Sequence, residues 1–350
     1  MADPIQLVSS SEYDAVLVVS FGGPEAEADV MPFLDNVMAG RPVPPPVKAR
    51  IAARYQRFGG VSPINAHTRA FIAALERELA THGPDLPVYW GNRNWHPFLK
   101  DTARQMAADG VRNTLVYITS LFSSYSGCRQ YREDLYRAMD GLQDAPRVHK
   151  LRSGYNHPGF ITAMAARLRC AVDSVKGTPP VLFTAHSLPV AMARHADYEN
   201  QLRDACALVA HAAEVSEFDL AFQSNNARTG VPWLSPTIED ALTAIRSAGH
   251  RNVVVAPIGF VCDHMEVVLD LDVEARAHAD EIGLNMVRAA TVGTHRDYVG
   301  MVHDLIVERV TRRAEQPTLG AGGPQPDLCA ADCCLSGRPG ARLPALCGRD

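Results

Sequence analysis

The stretch 110–124, "GVRNTLVYITSLFSS", has a counterpart at 249–263, "GHRNVVVAPIGFVCD". In both, G-x-R-N precedes a short run of apolar and β-branched residues, which is the pattern of a buried strand. A helix-like segment precedes each one, ending in "MAADG" and "IRSAG". Two further pairs of similar stretches come before these, in the same order in each half of the chain. They are "AVLVVSFGGP" (15–24) with "PVLFTAHSLP" (180–189), and "LPVYWGNRN" (86–94) with "FDLAFQSNN" (218–226).

Strand-like runs alternate with helix-like segments through both copies, which predicts an α/β protein with parallel sheets. We expect two similar doubly wound, Rossmann-like lobes with an active-site cleft between them. The first lobe is predicted over residues 12–155 and the second over 178–293. A closing helix over about 294–316 is a candidate to pack back on the first lobe, and 317–350 form a tail rich in Gly, Pro and Cys.

Composition narrows the function classes. The 350 residues are 47% hydrophobic and 21% charged, as in ordinary globular proteins, and the net charge of −5 argues against a nucleic-acid partner. No apolar run approaches the roughly 18 residues that span a bilayer, and the first residues lack the pattern of a secretory signal. We therefore expect a cytoplasmic protein without a transmembrane segment, whose cysteines are available to metal rather than to disulfides.

One candidate catalytic residue lies at the end of a predicted strand. "VLFTAHSLP" places His186 at the carboxyl end of its strand, where ligands collect in open α/β sheets. An imidazole there could accept protons or bind metal near neutral pH. From this fragment alone, a histidine with only a local capping role is an equal alternative.

A second candidate is the carboxylate series in "GFVCDHMEVVLDLDVEARAHADE". Glu266, Asp270 and Glu274 stand at i, i+4 and i+8, so a helix would place them on one stripe, with Asp272 off it. Such a stripe is either a solvated face or a path for cations. Because His186 belongs to the same lobe, the combination favours a divalent metal held loosely by imidazole and carboxylate.

The sequence lacks the motifs of nucleotide-binding proteins and of serine hydrolases. No G-x-G-x-x-G or G-x-x-x-x-G-K-[ST] follows a strand-like run, and the serines of "SLFSSYSG" and "AHSLP" are not in a G-x-S-x-G elbow. A two-lobed binding protein of the periplasmic type remains the alternative from a non-enzyme class. The first residues lack the pattern of a secretory signal, and carboxylates lie near the expected cleft. Both observations argue against such a binding protein.

The chain resembles the ferrochelatases, which insert ferrous iron into a porphyrin. The likeness rests on "RYQRFGGVSPIN", "AHSLP", "WLSPTIED" and "GFVCDHMEVVLDLD", in that order, and runs from about residue 13 to 312. It implies the chelatase fold, with His186 as base and, together with Glu266, as metal ligand. Asp270 and Glu274 would form the outer metal path.

The resemblance also implies the residues that contact the porphyrin. Arg54 and Ser62 match positions beside the propionates, and Tyr131 matches a porphyrin-contacting tyrosine. Phe21 stands where some members carry a tyrosine, so its ring is expected to pack on the macrocycle without coordinating iron. Arg57 and Arg129 are interpreted as ordinary surface charge.

The substrate follows from the same resemblance. The cysteine tail is similar to that of actinobacterial members, which implies coproporphyrin III and ferrous iron as substrates and coproheme as product. Protoporphyrin IX is the alternative, and a cobalt or nickel tetrapyrrole chelatase is a more distant one. A handover of the product to the next enzyme of heme synthesis is a further expectation.

The tail "DLCAADCCLSGRPGARLPALCGRD" carries half of the chain's eight cysteines, spaced C-x3-C-C-x12-C. This spacing lacks the paired C-x-x-C of structural zinc, and disulfides, free thiols and an iron–sulfur cluster all remain open from the residues alone. The resemblance implies a [2Fe–2S] cluster held by four of five thiols: Cys128, Cys329, Cys333, Cys334 and Cys347. The choice between Cys333 and Cys334 stays open. The other cysteines are interpreted as ordinary small buried residues: Cys170, Cys206 and Cys262.

Overall fold

The computed structural model describes residues 12–40, 42–225, 230–338 and 343–347. It contains two four-stranded sheets in which every neighbouring pair of strands is parallel. The order is β2-β1-β3-β4 in one sheet and β6-β5-β7-β8 in the other, so the two copies share one topology. The predicted duplicated α/β fold is confirmed. The strands are β1 (Ala15–Ser20), β2 (Val88–Asn92), β3 (Asn113–Ile118), β4 (Arg147–Lys150), β5 (Val181–His186), β6 (Phe218–Gln223), β7 (Asn252–Ala256) and β8 (Asn285–Arg288).

Helices connect the strands and cover both faces of each sheet. The α-helices of the described chain are α1 (Val30–Val37), α2 (Pro45–Gln56), α3 (Ile64–His82), α4 (Leu99–Ala108), α5 (Gln130–Met139), α6 (Pro158–Asp173), α7 (Val190–Ala193), α8 (Tyr198–Ala212), α9 (Ile238–Ser247), α10 (Met265–Val267), α11 (Arg276–Glu281) and α12 (Arg296–Thr311). Two segments are π-helical: Tyr125–Arg129, which leads into α5, and Val268–Ala275, which joins α10 to α11. Neither segment was foreseen, because i→i+5 hydrogen bonding has no simple signature in sequence.

The central strands are buried from end to end. All six residues of β1 are buried, and so are the first five of β5, up to His186. Strands that are covered on both faces read as continuous apolar runs rather than as alternating ones. The apolar runs of β1 and β5 therefore mark these strands in the sequence.

One apolar cluster joins the two lobes. It includes Val16 and Val18 of β1 and Phe183 of β5, together with residues of α6 and α12. The predicted division between 155 and 178 therefore falls where α6 lies in a core that serves both sheets.

The closing helix α12 packs on the first lobe. Its Glu308 forms a fully buried ion pair with Arg152, whose Nε lies 2.8 Å from the carboxylate. The hydroxyls of Tyr298 in α12 and Tyr117 in β3 are hydrogen-bonded. Because a broken buried pair leaves an uncompensated charge, this contact holds α12 in one place.

The strand ends of both sheets open on one cleft. Phe21 follows β1, Thr119 follows β3, His186 ends β5 and Gly259 follows β7, and all four line the same cavity. Parallel strands thus bring segments distant in sequence to one edge, as expected for a doubly wound fold. None of the helices in the described ranges is both long and apolar enough to cross a membrane.

Candidate active site and thiol cluster

The cleft between the lobes contains a cavity of about 400 Å³, within the range of small-ligand pockets. Five residues predicted from sequence line it: Phe21, Ser62, Tyr131, His186 and Glu266. The other three predicted for the same site, Arg54, Asp270 and Glu274, lie beyond its wall. The structure therefore separates an inner group around the cavity from an outer group of charged residues.

His186 and Glu266 face each other across the second-lobe wall. The Nε2 atom of His186 lies 3.6 Å from Oε2 of Glu266, and the two side chains are 35% and 53% exposed. The Nδ1 atom lies 2.5 Å from the carbonyl oxygen of Ser187. Since a carbonyl only accepts, Nδ1 carries the proton and donates it, which leaves the Nε2 lone pair of the neutral ring free to accept a proton.

The backbone around this pair is held closely. The Tyr198 hydroxyl donates to the carbonyl oxygen of His186 at 2.9 Å. The backbone at Gly259 lies close against β5. A Cβ at this position would lie only 2.6 Å from Cβ of Ala185. A glycine is required where two backbones approach so closely.

A second imidazole, which sequence reasoning missed, lies beside the pair. Nδ1 of His264 accepts from the backbone N–H of Glu266 at 3.2 Å and caps α10. Burial lowers the pKa of His264, so its ring is neutral near pH 7. The available signal was its position two residues before Glu266, in the loop that follows β7.

The outer carboxylates lie on the π-helical segment Val268–Ala275 rather than on a regular helix. Asp270 is buried, and burial, followed by the charge of Glu266, raises its pKa to about 6. The Ser224 hydroxyl donates to its Oδ2. Glu274 is about half exposed, so the carboxylates pass from a buried position to solvent along this segment.

Arg54 reaches the outer carboxylates from the first lobe. Its Nη2 atom lies 2.7 Å from Oε1 of Glu274 and 3.3 Å from Oδ1 of Asp270. It therefore lies against the predicted metal path instead of the cavity wall. Asp272 points elsewhere, as its position off the stripe predicts, and forms a two-pronged pair with Arg288 at 2.6 and 2.9 Å.

The opposite wall carries an arginine that sequence reasoning also missed. The Arg93 guanidinium lies 4.5 Å from the ring centre of Tyr131 and 5.7 Å from that of Phe21. Its Nε donates to Asp134 at 2.5 Å, and burial raises the pKa of Tyr131. Arg93 follows β2 directly, so the strand-end rule that indicated His186 could have identified it.

Two polar residues complete this wall. Ser62 is buried, and its backbone N–H donates to the carbonyl of Pro24 at 2.8 Å. Tyr55, in the last turn of α2, also lines the cavity, and burial raises its pKa above the usual range. Its hydroxyl therefore stays protonated and able to donate.

The five predicted cluster thiols lie together. The Cys128 thiol is within hydrogen-bonding range of Cys329 and Cys334, while Cys329 also reaches Cys333 and Cys347. Four of them line a second cavity of about 340 Å³: Cys128, Cys329, Cys333 and Cys334.

Two buried arginines hold the tail around these thiols. Arg129 donates to the carbonyl of Ala331 at 2.6 Å and to that of Leu343 at 3.2 Å. It is only 3% exposed, so its interpretation as surface charge is wrong. Arg132 donates to the sulfur of Cys333 at 3.1 Å and to that of Cys347 at 3.3 Å. Both arginines lie in the segment that begins with the Cys128 turn.

The electrostatics favour thiolates at part of the group. Hydrogen bonds from Cys329, and then the Arg132 charge, lower the pKa of Cys333 and Cys347. Thiolates are the form that binds metal. Of the remaining cysteines, Cys206 is buried as expected and burial raises its pKa, whereas Cys170 is exposed, so that part of the prediction is wrong.

The ferrochelatase family model matches residues 13–310. The ferrochelatase of Rhodopirellula baltica is 49% identical over 92% of this chain and 93% of its own. The coproporphyrin III ferrochelatase of Streptomyces griseus is 43% identical, over 97% and 96%. The structure described as SirB from Bacillus subtilis with Fe3+ has a TM-score of 0.56 at 11% identity, over 86% of this chain and 96% of SirB, which is a likeness of fold. The chain belongs to the ferrochelatase family.

Proposed function

We propose that this chain inserts ferrous iron into coproporphyrin III to give coproheme in heme synthesis. The observation that carries the proposal is the His186–Glu266 pair, 3.6 Å apart in the wall of the interlobe cavity. Support for the substrate comes from relatives named coproporphyrin III ferrochelatase in Streptomyces griseus and Frankia alni, at 43% and 45% identity. The Rhodopirellula relative is named only ferrochelatase, so protoporphyrin IX is the alternative substrate.

The reaction needs a base in the cleft. A free porphyrin loses two pyrrole N–H protons as Fe²⁺ binds its four nitrogens, so two protons leave for each iron that enters. The Nε2 lone pair of His186 is the acceptor for such a proton, because Nδ1 is already occupied in donating to Ser187. Glu266 then receives the proton from the imidazolium and passes it to solvent, to which it is half exposed.

Iron reaches this pair along the outer carboxylates. Asp270 and Glu274 offer oxygen ligands, which hold Fe²⁺ less tightly than thiolates do. A loose hold suits an ion that must be passed on. Arg54 occupies these carboxylates when no cation is present, so an arriving cation competes with its guanidinium.

The first-lobe wall receives the macrocycle. Phe21 offers an apolar ring without a ligand atom, so we expect it to pack on the porphyrin face and leave the product iron uncoordinated on that side. Tyr131 and Ser62 are the expected polar contacts. The proposed contact of Arg54 with a propionate requires it to leave the carboxylates that it pairs with here.

We further propose that the thiol group holds a [2Fe–2S] cluster. Such a cluster takes four cysteines, two for each iron, and five thiols converge here beside the Arg132 charge. Cys128 and three tail thiols would hold it.

When bound, such a cluster supplies one-electron redox chemistry, which iron insertion does not use. The residues around it act on the chain itself, since Arg129 and Arg132 fasten the tail to the first lobe. The choice between Cys333 and Cys334, the cytoplasmic location and the handover of the product to a following enzyme stay predictions.

The test of the proposed function is an anaerobic insertion assay. The purified protein is mixed with Fe²⁺ and either coproporphyrin III or protoporphyrin IX, and loss of the free-base absorption bands is followed. We expect insertion into both, with the higher kcat/KM for coproporphyrin III. A higher value for protoporphyrin IX would overturn the substrate, and no insertion into either would overturn the function. Co²⁺ and Ni²⁺ run in parallel test the other metals.

A further inference from the structure

We propose that Arg338, a residue of the cysteine tail, binds a carboxylate of the porphyrin at the mouth of the cleft. This inference rests on the proposed function, and it adds the tail to the substrate site. It also gives the thiol group a role in selecting substrates with more carboxylates.

The first observation is the position of Arg338. It lines the same cavity as His186 and Glu266, although it comes from the tail rather than from either lobe. Two other residues of this part of the cavity wall, Pro189 and Met192, belong to the turn and helix α7 that follow β5.

The second observation is the close fit of the tail backbone. Gly337, directly before Arg338, has φ +69°, and a Cβ there would lie 2.6 Å from the carbonyl oxygen of Ala191. The tail therefore lies on α7 with backbone against backbone, at a point where only glycine fits. This contact fixes where Arg338 emerges.

The third observation is the anchoring of the segment just before it. The Cys334 N–H donates to the carbonyl of His195 in the second lobe at 3.1 Å. Cys334 is buried and has φ +55°, which is unusual for a residue with a side chain. On the other side, Arg129 of the first lobe donates to the carbonyl of Cys333 at 3.2 Å. The tail is thus held by both lobes within a few residues of Arg338.

The fourth observation is charge. Arg93, the other arginine of the cavity wall, is already paired with Asp134. Within the described ranges no carboxylate forms an ion pair with Arg338. Coproporphyrin III carries four propionates and protoporphyrin IX two, and a guanidinium suits a carboxylate in charge and shape. Arg338 therefore favours the substrate with four.

The experiment compares Arg338→Ala and Arg338→Lys with the wild type. Fluorescence quenching gives the Kd of each metal-free porphyrin, and the insertion assay gives kcat and KM. We expect Arg338→Ala to weaken coproporphyrin III binding by about 5- to 20-fold, as for one lost charge-assisted contact, with kcat unchanged. Protoporphyrin IX binding should change by less than about twofold, and Arg338→Lys should recover part of the loss. The control is Arg296→Ala, whose side chain on α12 is 91% exposed.

Two other outcomes would contradict the role of Arg338, and a third would contradict the proposed function. Unchanged coproporphyrin binding in Arg338→Ala, or an equal loss for both porphyrins, would overturn the assignment. A wild type that binds neither porphyrin and inserts no iron would instead overturn the proposed function.

The role of the thiols is tested in the same assay. Cys128→Ser should weaken coproporphyrin III binding by a factor similar to that of Arg338→Ala, because the tail loses the one cluster ligand that the first lobe would supply. In the Cys128→Ser background, Arg338→Ala should then add little. Full, independent losses from the two changes would contradict the coupling between thiols and substrate.

Discussion

The cleft and the thiol group share a wall, and they differ in the atoms that they offer to iron. Gly127 of the π-helical turn lines both cavities, and Cys128 and Tyr131, one on each side of that wall, follow within a few residues. The cleft presents the His186 imidazole and the half-exposed Glu266 carboxylate, whereas the tail presents sulfur atoms beside buried arginines. Oxygen and nitrogen ligands suit an ion that passes through, and thiolates suit one that stays.

Under the proposed function, one fold handles iron both as a substrate and as a resident group. Arg54 pairs with Asp270 and Glu274, so a cation on the proposed path must displace its guanidinium. The thiols are held by backbone contacts that reach both lobes. Changing one of the two sites and measuring the other tests whether they are independent.

The largest expected effect comes from the base. His186→Ala should lower kcat of iron insertion by about 10²- to 10⁴-fold, because proton transfer from the pyrrole nitrogens loses its acceptor. The anaerobic absorption assay measures it. The visible absorption of the thiol-bound group should be unchanged, and a parallel loss of that absorption would show that the two sites are not separate.

The next effect concerns the thiols. Cys128→Ser should abolish the visible absorption of the purified protein and make the tail sensitive to trypsin, since the first-lobe ligand is lost. Its kcat for iron insertion should stay of the same order as that of the wild type. Cys170→Ser, at an exposed cysteine outside the group, is the matched control and should behave as the wild type. A colourless wild-type protein would contradict the cluster.

A moderate effect tests the core that joins the two lobes. His157 caps α6, and burial, followed by the Arg152 charge, lowers its pKa to about 4. As pH falls from about 6.5 towards 4, the unfolded chain binds a proton that the folded chain does not, so stability is lost over that window. Urea unfolding should show a loss of about 2 kcal/mol between pH 7 and pH 5 that His157→Asn, which keeps a capping side chain, lacks. Identical pH profiles would contradict this assignment.

The smallest expected effect concerns the outer carboxylates Asp270 and Glu274, which pair with Arg54. Arg54→Ala frees Asp270 and Glu274, so Mn²⁺, used as a probe without porphyrin, should bind about two- to fivefold more tightly. Electron paramagnetic resonance of free Mn²⁺ measures this binding. Arg69→Ala removes a similar exposed pair, with Glu25, and should have no effect. Weaker Mn²⁺ binding in Arg54→Ala would mean that the arginine organises the path rather than guarding it.

Much of the fold could be predicted from sequence, because its signals are local. The runs that became β3 and β7 carry their own pattern, and their repetition indicated the common topology of the two sheets. The strand-end rule likewise placed His186 correctly at the cleft.

The unpredicted features depend on distant partners. Arg129 resembles any surface arginine until the tail covers it, and Arg54 meets Glu274 only after the lobes close around their core. The π-helical turns at Cys128 and Asp270 depend on hydrogen bonds that a helical pattern does not distinguish. Long-range contacts and local backbone geometry set these features, and neither appears in residue spacing.

The most direct test of the separation between cargo and resident iron uses isotopes. Protein purified with natural-abundance iron is given ⁵⁷Fe²⁺ and coproporphyrin III without oxygen, and Mössbauer spectra are recorded after several turnovers. We expect ⁵⁷Fe in the porphyrin product and none in a [2Fe–2S] signal. A ⁵⁷Fe-labelled cluster, or natural-abundance iron in the product with a matching loss of cluster absorption, would contradict it.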